Sequence, residues 1–378
     1  MEFSWDATEI SYRQELKAFL AEHLPPGWNG YDRSDLESYK RESKAFAKAM
    51  AARGWLTQNW PIEYGGQDTS PWRSVVVSEE LTAIGEPRGP QYMNVNWVGP
   101  AIMHAGTEAQ KAYHLPKIAA GDVCWSQGFS EPDAGSDLAS LRTRAVRDGN
   151  DYVVNGAKIW TSHVGSADFL FLLVRTDPDA SKRAAGISIL LTPMNTPGIE
   201  VRKIGNFVSE ESFHQLTFTD MRVPIEFRLG AENAGWDIVR YALAYERVGA
   251  AHYSTAERIL FKAIEEAKAN GGIEDPEIQT QIGAVYAAIE AARLLCYKVV
   301  DQRVQKSPPT ADANIARVAQ VRSVQLAVDL EQCVLAEDGY GPNGRKDFRH
   351  GIVLGIAAGA LDIQLGLIAS KYLNLPRR

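Results

Sequence analysis

The chain has 378 residues, 45% of them hydrophobic and 23% charged, which is more than one hydrophobic core usually serves, since single cores stop growing at roughly 250 to 300 residues. Its 40 Lys and Arg against 47 Asp and Glu leave a formal charge of -7; that balance offers no long-range attraction to phosphate backbones or anionic membranes, so no nucleic-acid partner is expected. Three scattered cysteines, Cys124, Cys296 and Cys333, are too few for a disulfide framework or a zinc site and fit a reduced, cytoplasmic setting.

The first residues mix acidic and polar side chains where an export signal needs a basic start and an unbroken apolar stretch. Helical punctuation follows. Asp6 and Glu9 precede Ile10, Leu16, Phe19 and Leu20 on one stripe, which Pro25, Pro26 and Gly27 close. Ser34 and Glu37 repeat the capping spacing before Leu36, Tyr39, Phe46 and Met50, and Gly54 stands where a C-terminal cap belongs. Residues 1–118 therefore read as an N-terminal helical domain. From about residue 123 the grammar is that of strands: residues 152–154 precede Asn155-Gly156, a dipeptide that favours a two-residue hairpin turn, and residues 158–160 follow. Residues 169–174, 187–191, 199–201 and 216–218 continue the pattern. Residues 119–226 are expected to form a middle, β-barrel-like domain. Helical periodicity then returns in Ile238, Leu243 and Val248, in Ile282, Val285 and Ile289, and in Val321, Val324 and Leu330. With breaks at residues 270–276 and 307–313 and a fourth segment over residues 351–373, residues 227–378 read as a C-terminal antiparallel four-helix bundle. The fold class is mainly α with a central β domain. The apolar run of residues 351–360, more than half glycine and alanine, falls far short of the roughly 20 residues that span a bilayer, so a soluble protein is expected.

GYGPNG at residues 339–344 satisfies a dinucleotide-binding pattern, yet a charged helical stretch precedes it and Pro342 interrupts it, which marks a loop between helices. The seven histidines are spread singly, and no Walker A loop, zinc-protease motif or serine-nucleophile elbow occurs. A different pair of motifs stands out: CWSQGFSEPDAGSD at residues 124–137 and KIWTS at residues 158–162. Alone, Trp160 reads as a tryptophan at a sheet edge, and Ser130 and Ser136 as turn chemistry around Pro132 and Gly135. As an ordered pair, with WPIEYGG at 60–66, EEL at 79–81, GTE at 106–108 and Glu246-Arg247, they resemble the acyl-CoA dehydrogenase flavoprotein family nearly end to end. That family's fold has the same order of helical, β and helical parts.

The resemblance implies FAD as cofactor and α,β-desaturation of an acyl-CoA thioester to a trans-2-enoyl-CoA. An isoalloxazine ring needs a packing face and a few hydrogen-bonding groups at its pyrimidine end. By resemblance, the stretch from Gln127 through Phe129 to Ser130 would hold that end, Trp160 would cover one ring face, and Ser162 with Thr161 beside it would reach the N5 side. Ser136 matches a serine that contacts the CoA part of the substrate, and Arg247 belongs with substrate binding. An α-proton of a thioester is weakly acidic, so a carboxylate of raised pKa is required. Most members carry it near the C-terminus, where this chain has Ala358. A smaller branch, including isovaleryl-CoA and long-chain enzymes, places it on the first bundle helix before an arginine, which selects Glu246 as the base.

Two further departures bear on assembly. Homotetrameric members grip the FAD pyrophosphate and adenine of a neighbour through an arginine-bearing segment and a glycine pair. Here those positions hold NGGIEDP at 270–276, without arginine, and AEDG at 336–339, with two carboxylates. The pattern resembles bacterial α2β2 heterotetramers, several acting on steroid side chains or rings. A paralogous partner chain, a bulky, branched or steroid-derived acyl group, and an electron-transfer flavoprotein as acceptor are the implied partners. Two alternatives stay open: a non-catalytic or flavin-holding subunit of a heteromeric enzyme, and the same fold diverted to other flavin chemistry such as nitroalkane oxidation.

Overall fold

A computed structural model describes all residues except 1–4, 29, 32–34, 207–212, 247–249, 308–309, 336–341, 358 and 377–378, and leaves out the side chains of residues 180, 243–246 and 342–345. In chain order the helices are α1 (Ala7–His23), α2 (Leu36–Ala52), α3 (Pro71–Ala83), α4 (Gln91–Met93), α5 (Gly99–Ala105) and α6 (Glu108–Ala119). Eight strands follow: β1 (Trp125–Gly128), β2 (Arg144–Asp148), β3 (Asp151–Ser162), β4 (Phe169–Arg175), β5 (Ile187–Pro193), β6 (Ile199–Ile204), β7 (Phe213–Pro224) and β8 (Arg228–Leu229). The chain ends in α7 (Gly235–Glu246), α8 (His252–Asn270), α9 (Pro276–Val304), α10 (Asp312–Leu335), α11 (Pro342–Ile356) and α12 (Leu361–Lys371).

Two compact units interleave along the chain: one gathers Met1–Gly30, Thr69–Glu86 and Glu246–Arg378, the other Tyr31–Asp68 and Pro87–Tyr245. The N-terminal helical segment is thus shared out between them, because each helix goes where its apolar stripe is covered. In the first unit α1 packs on α3, and α3 on α8 and α9. Asp6 caps α1 as expected, its carboxylate accepting the N–H groups of Thr8 (2.8 Å) and Glu9 (2.9 Å). The core is built from α8, α9 and α10, through residues such as Ile259, Ile289 and Val324.

The expected fourth helical segment is two helices, both laid against α10, and residues 227–378 hold six described helices, α7 to α12, where four were expected. They part where Gly359 takes φ +88°, and Arg317 of α10 donates to the carbonyls of Leu354 (2.9 Å) and Ala357 (3.2 Å) at the end of α11. Asn314 also donates to Gln364 Oε1 of α12 at 2.6 Å. By length and composition alone the stretch Lys346–Lys371 would suffice to cross a membrane, a longer apolar reach than residues 351–360 suggest.

The second unit is organised by one open, mixed sheet of order β6-β7-β3-β2-β4-β5-β8, with β1 added parallel to β4. The barrel-like expectation takes this open form: β2 and β4 meet at a single residue pair, Arg144 and Arg175, and β6 and β8 remain ends. Every residue of β4 is buried, which explains its unbroken apolar run, since a strand covered on both faces has no polar alternation.

Asn155-Gly156, expected to turn a hairpin, lies inside β3, which runs on for 12 residues. Gly149, at φ +60°, and Asn150 make the turn instead, between β2 and β3. The local signal loses to a long-range pair: Asn155 Nδ2 donates to Asp220 Oδ1 at 3.0 Å, and Asp220 N–H returns to Asn155 Oδ1 at 2.9 Å. Gly156 sits at a register shift where a Cβ would lie 2.6 Å from Thr143 Oγ1, so the glycine serves close strand approach.

Ser34 lies outside the described residues; Asp35 caps α2, accepting the Ser38 N–H at 3.0 Å. Gly54 takes φ +71° after α2, as its position predicts.

Candidate active site

Buried amides place the first motif. Gln91 Nε2 and Asn94 Nδ2 both donate to the Val123 carbonyl at 2.9 Å, and Asn94 Oδ1 accepts the Trp125 N–H at 3.0 Å. Asp168 Oδ2 accepts the Cys124 N–H at 2.8 Å. Entry into β1 is therefore fixed by buried side chains that also brace each other, Asn94 Nδ2 donating to Gln91 Oε1 at 2.7 Å. Asn94 opens a π turn, Asn94–Val98, whose wider ring carries Asn94 and Trp97 to the buried side.

Gln127 lies on β1, and Phe129 and Ser130 follow it before a tight turn in which Glu131 and Ala134 exchange backbone hydrogen bonds at 3.0 Å. Ser136 stands beyond that turn on an exposed stretch. Phe129 is partly buried, its ring 6.0 Å from Trp97 and 6.1 Å from Phe171.

The second motif ends β3. Between Lys158 and Thr161 the pairing with β7 slips by one residue, a bulge, and Trp160 takes up the left-handed conformation at φ +59°. This conformation costs a non-glycine residue about 1 kcal/mol or more, and its effect is to throw the indole out of the sheet. Trp160 is 54% exposed, touching Phe213 edge-on at 5.9 Å. Thr161 points the opposite way and is buried at 1% exposure, across from His214 of β7. Ser162 is half-buried, and its carbonyl accepts the Ser126 hydroxyl.

The two motifs are held together directly. Ile159 donates its N–H to the Ser130 carbonyl at 2.8 Å, and Lys158 Nζ donates to the Phe129 carbonyl at 3.0 Å. Gln127, Phe129, Ser130, Trp160 and Ser162 thus share one neighbourhood, whereas the Thr161 hydroxyl lies within the sheet. Lys158 and Glu131, both inside the quoted motifs, were not singled out from the sequence; their signal was a cation at an inward position of β3 with a carboxylate in the facing segment. Burial pushes the Lys158 ammonium down to about 8 against the pull of Glu131. Burial also raises the Glu131 carboxyl, but the Lys158 charge and three donors outweigh it and the net shift is downward.

A flat aromatic with one hydrogen-bonding edge suits this neighbourhood. Gln127 Oε1 is buried with no hydrogen-bond partner among the described residues, a state that costs roughly 1–3 kcal/mol unless a ligand donates to it. On the strand bonded to the Ser130 segment, the bulge displays a large apolar face in solvent. These residues fit the polar end and one face of a flavin.

Glu246 is the last residue of α7, and its side chain is outside the described residues, as are Arg247 and Ala358. Residues 336–339 are likewise outside them. Residues 270–276 serve helix ends: Gly271 takes φ +81° after α8, Asn270 Nδ2 donates to the Val334 carbonyl at 3.0 Å, and Asp275 caps α9.

Three family models match in order: the acyl-CoA dehydrogenase N-terminal domain over residues 6–122, the middle domain over 126–221 and the C-terminal domain over 233–373. Acyl-CoA dehydrogenase FadE26 of Mycobacterium tuberculosis is 33% identical over 404 residues, covering 100% of this chain and 99% of its own. A chain of the ChsE4-ChsE5 complex of Mycobacterium tuberculosis superposes with a TM-score of 0.89 at 34% identity, covering 100% of both chains. A chain of the Tcur3481-Tcur3483 steroid ACAD gives 0.88 at 30% identity, again over 100% of both. This chain belongs to the acyl-CoA dehydrogenase family, whose members are flavin-dependent oxidoreductases.

Proposed function

We propose that the protein binds FAD and desaturates a bulky, branched or steroid-derived acyl-CoA to the trans-2-enoyl-CoA, working with a paralogous chain. The observation that carries this reading is the bulge at Trp160, which displays an exposed indole on the strand bonded to the Ser130 segment, the segment that follows the buried, unpartnered Gln127 Oε1. Bound FAD supplies the acceptor for the hydride that leaves the substrate's β-carbon. The chain's own residues do the rest. Trp160 covers one ring face, and Ser130 with neighbouring amides and Gln127 orients the pyrimidine edge. Ser162 reaches toward the N5 side. Glu246 takes the α-proton as carboxylate, a step typically worth roughly 10² to 10⁴ in rate, and Ser136 and Arg247 bind the CoA ester. Thr161 stands beside Ser162, and its buried hydroxyl, like Gln127 Oε1, has no partner among the described residues.

Support for a partner chain comes from two sides. Both solved relatives named above are described as pairs of different chains, and the second is called a steroid enzyme. Residues 270–276 are occupied in capping α8 and α9 and carry no arginine for a neighbour's pyrophosphate. A cytoplasmic location and re-oxidation by an electron-transfer flavoprotein complete the proposal. The alternative, a flavin-holding subunit without its own chemistry, draws on Ala358 in place of the commoner base.

The test is anaerobic bleaching. The protein, alone and co-expressed with a paralogous chain of the same family, is purified, its flavin identified, and short, branched and steroid-derived CoA esters are added. Yellow protein bleached by a bulky ester supports the proposal. Flavin that no ester reduces moves the chain to the subunit reading, and colourless protein in both preparations overturns FAD binding.

A further inference from the structure

One buried ion pair has no part in the chemistry described so far. Lys158 is fully buried on β3, with Nζ 2.8 Å from Glu131 Oε1 and 3.0 Å from the Phe129 carbonyl. The same carboxylate accepts the Thr143 N–H on Oε1 at 2.8 Å and the Arg142 N–H on Oε2 at 2.6 Å. Burying two charges gains little stability over an apolar pair of similar volume. What an apolar pair would lack is direction.

The direction is imposed on Ser130. In a trans peptide the carbonyl of one residue and the N–H of the next point to opposite sides. Holding the Phe129 carbonyl at the Lys158 ammonium therefore aims the Ser130 N–H away from that ammonium. The next peptide is pinned too, because the Ser130 carbonyl accepts the Ile159 N–H at 2.8 Å. Both peptide planes flanking the Ser130 α-carbon are thus fixed, and with them the direction in which its hydroxyl leaves the backbone. Lys158 also stands where the β3 bulge begins, two residues before the left-handed Trp160. One side chain consequently ties the segment that presents polar groups to the strand that presents the indole.

We propose that Lys158 and Glu131 are positioning residues for the flavin, a buried clamp that orients the Ser130 amide and hydroxyl toward its pyrimidine edge and sets them in register with Trp160. This inference rests on the FAD reading above. Glu131 is itself locked by the backbone of residues 142 and 143, so the clamp is anchored in the sheet rather than in a mobile side chain. Burial, only partly offset by Glu131, lowers the Lys158 ammonium to about 8, which leaves it charged and donating at neutral pH.

The experiment uses the full chain, with its partner where the partner is needed for yield. FAD is removed, and three quantities are measured for wild type, Glu131→Gln and the double variant Lys158→Met with Glu131→Gln: apoprotein melting temperature, FAD dissociation constant, and visible circular dichroism of bound FAD. The double variant removes both charges at similar volume. The expected result is a folded apoprotein whose FAD affinity falls about tenfold, the worth of one well-made hydrogen bond, with altered flavin dichroism. Glu131→Gln should show a smaller loss in the same direction. Affinity within about twofold of wild type, which is under half the free energy of that bond, together with unchanged dichroism overturns the positioning role. If the double variant does not fold, Glu131→Gln decides by the same two readouts at unchanged melting temperature. A wild-type chain that binds no FAD under any of these conditions removes the underlying reading instead, so the two failures are told apart.

Discussion

Ile159 donates its backbone N–H to the Ser130 carbonyl at 2.8 Å, and through this bond the strand that displays Trp160 is set against the segment that presents Ser130. The bond lies outside the sheet's regular ladder. It makes the two motifs, whose first residues Cys124 and Lys158 stand 34 positions apart, a single surface.

Trp160→Ala tests that surface. The indole is 54% exposed and its backbone is left-handed, so removing it should leave the apoprotein melting temperature nearly unchanged, and Trp160→Gly should raise it slightly by relieving the strained conformation. FAD binding should weaken about tenfold or more, since an aromatic face contributes roughly 0.5–1.5 kcal/mol beyond its buried area. Fluorescence titration of apoprotein with FAD is the measurement. Unchanged affinity in Trp160→Ala would remove the indole from the flavin site.

Glu246→Gln should leave a folded, yellow protein whose turnover of its acyl-CoA falls by roughly 10² to 10⁴. The isosteric amide keeps volume and polarity but cannot accept the α-proton. Steady-state rates with the ester that bleaches wild type provide the check, beside FAD content. Full activity with normal flavin loading would discard Glu246 as the base.

Much of this was legible in the sequence where the cause is local. Asp6 and Gly54 announce helix ends because a capping carboxylate and a positive φ act within one turn. The order of helical, strand and helical segments follows from apolar period. Asn155-Gly156 misled because a turn signal is also local, while the bond from Asn155 to Asp220 that draws it into β3 spans 65 positions. Lys158 escaped notice for a similar reason: a lysine in a strand reads as solvent-facing until its partner, Glu131, is brought in from another segment. The division of the N-terminal helices between two units could not be read at all, since an apolar stripe does not name the surface that covers it.

Glu79 should be the most costly single residue to lose in the first unit. It is buried, and its Oε1 accepts the hydroxyls of Tyr253 (2.8 Å) and Tyr297 (2.6 Å) while Oε2 pairs with Arg13. Glu79→Ala leaves two buried phenols without their acceptor and takes from Arg13 one of its two carboxylates, Glu80 remaining at 2.6 Å, and should cost about 2–4 kcal/mol. Tyr297→Phe removes one hydrogen bond and should cost about 1 kcal/mol. Urea unfolding of both variants makes the comparison. Equal losses would mean that the carboxylate is not the hub of this contact between α1, α3, α8 and α9.

His114 gives the chain a pH-dependent stability. The side chain is buried on α6, 5.0 Å from the Trp125 ring and 5.2 Å from Phe169, and its Nδ1 has no hydrogen-bond partner among the described residues. Burial, helped by the charge of Lys117, pushes its pKa from 6.5 down to about 4. Between those values the unfolded chain takes up a proton that the folded chain refuses. Stability is therefore whole above pH 6.5 and is lost as the pH falls toward 4, by no more than about 3 kcal/mol for this group. His252, buried and also held well below 6.5, adds to the same slope, so the readout is a difference between two curves. Thermal melts of wild type and His114→Phe from pH 7.5 to 4.5 should run parallel above pH 6.5 and change their separation steadily below it, the variant losing less as the pH drops. Parallel curves across that range would show that His114 does not control the acid sensitivity.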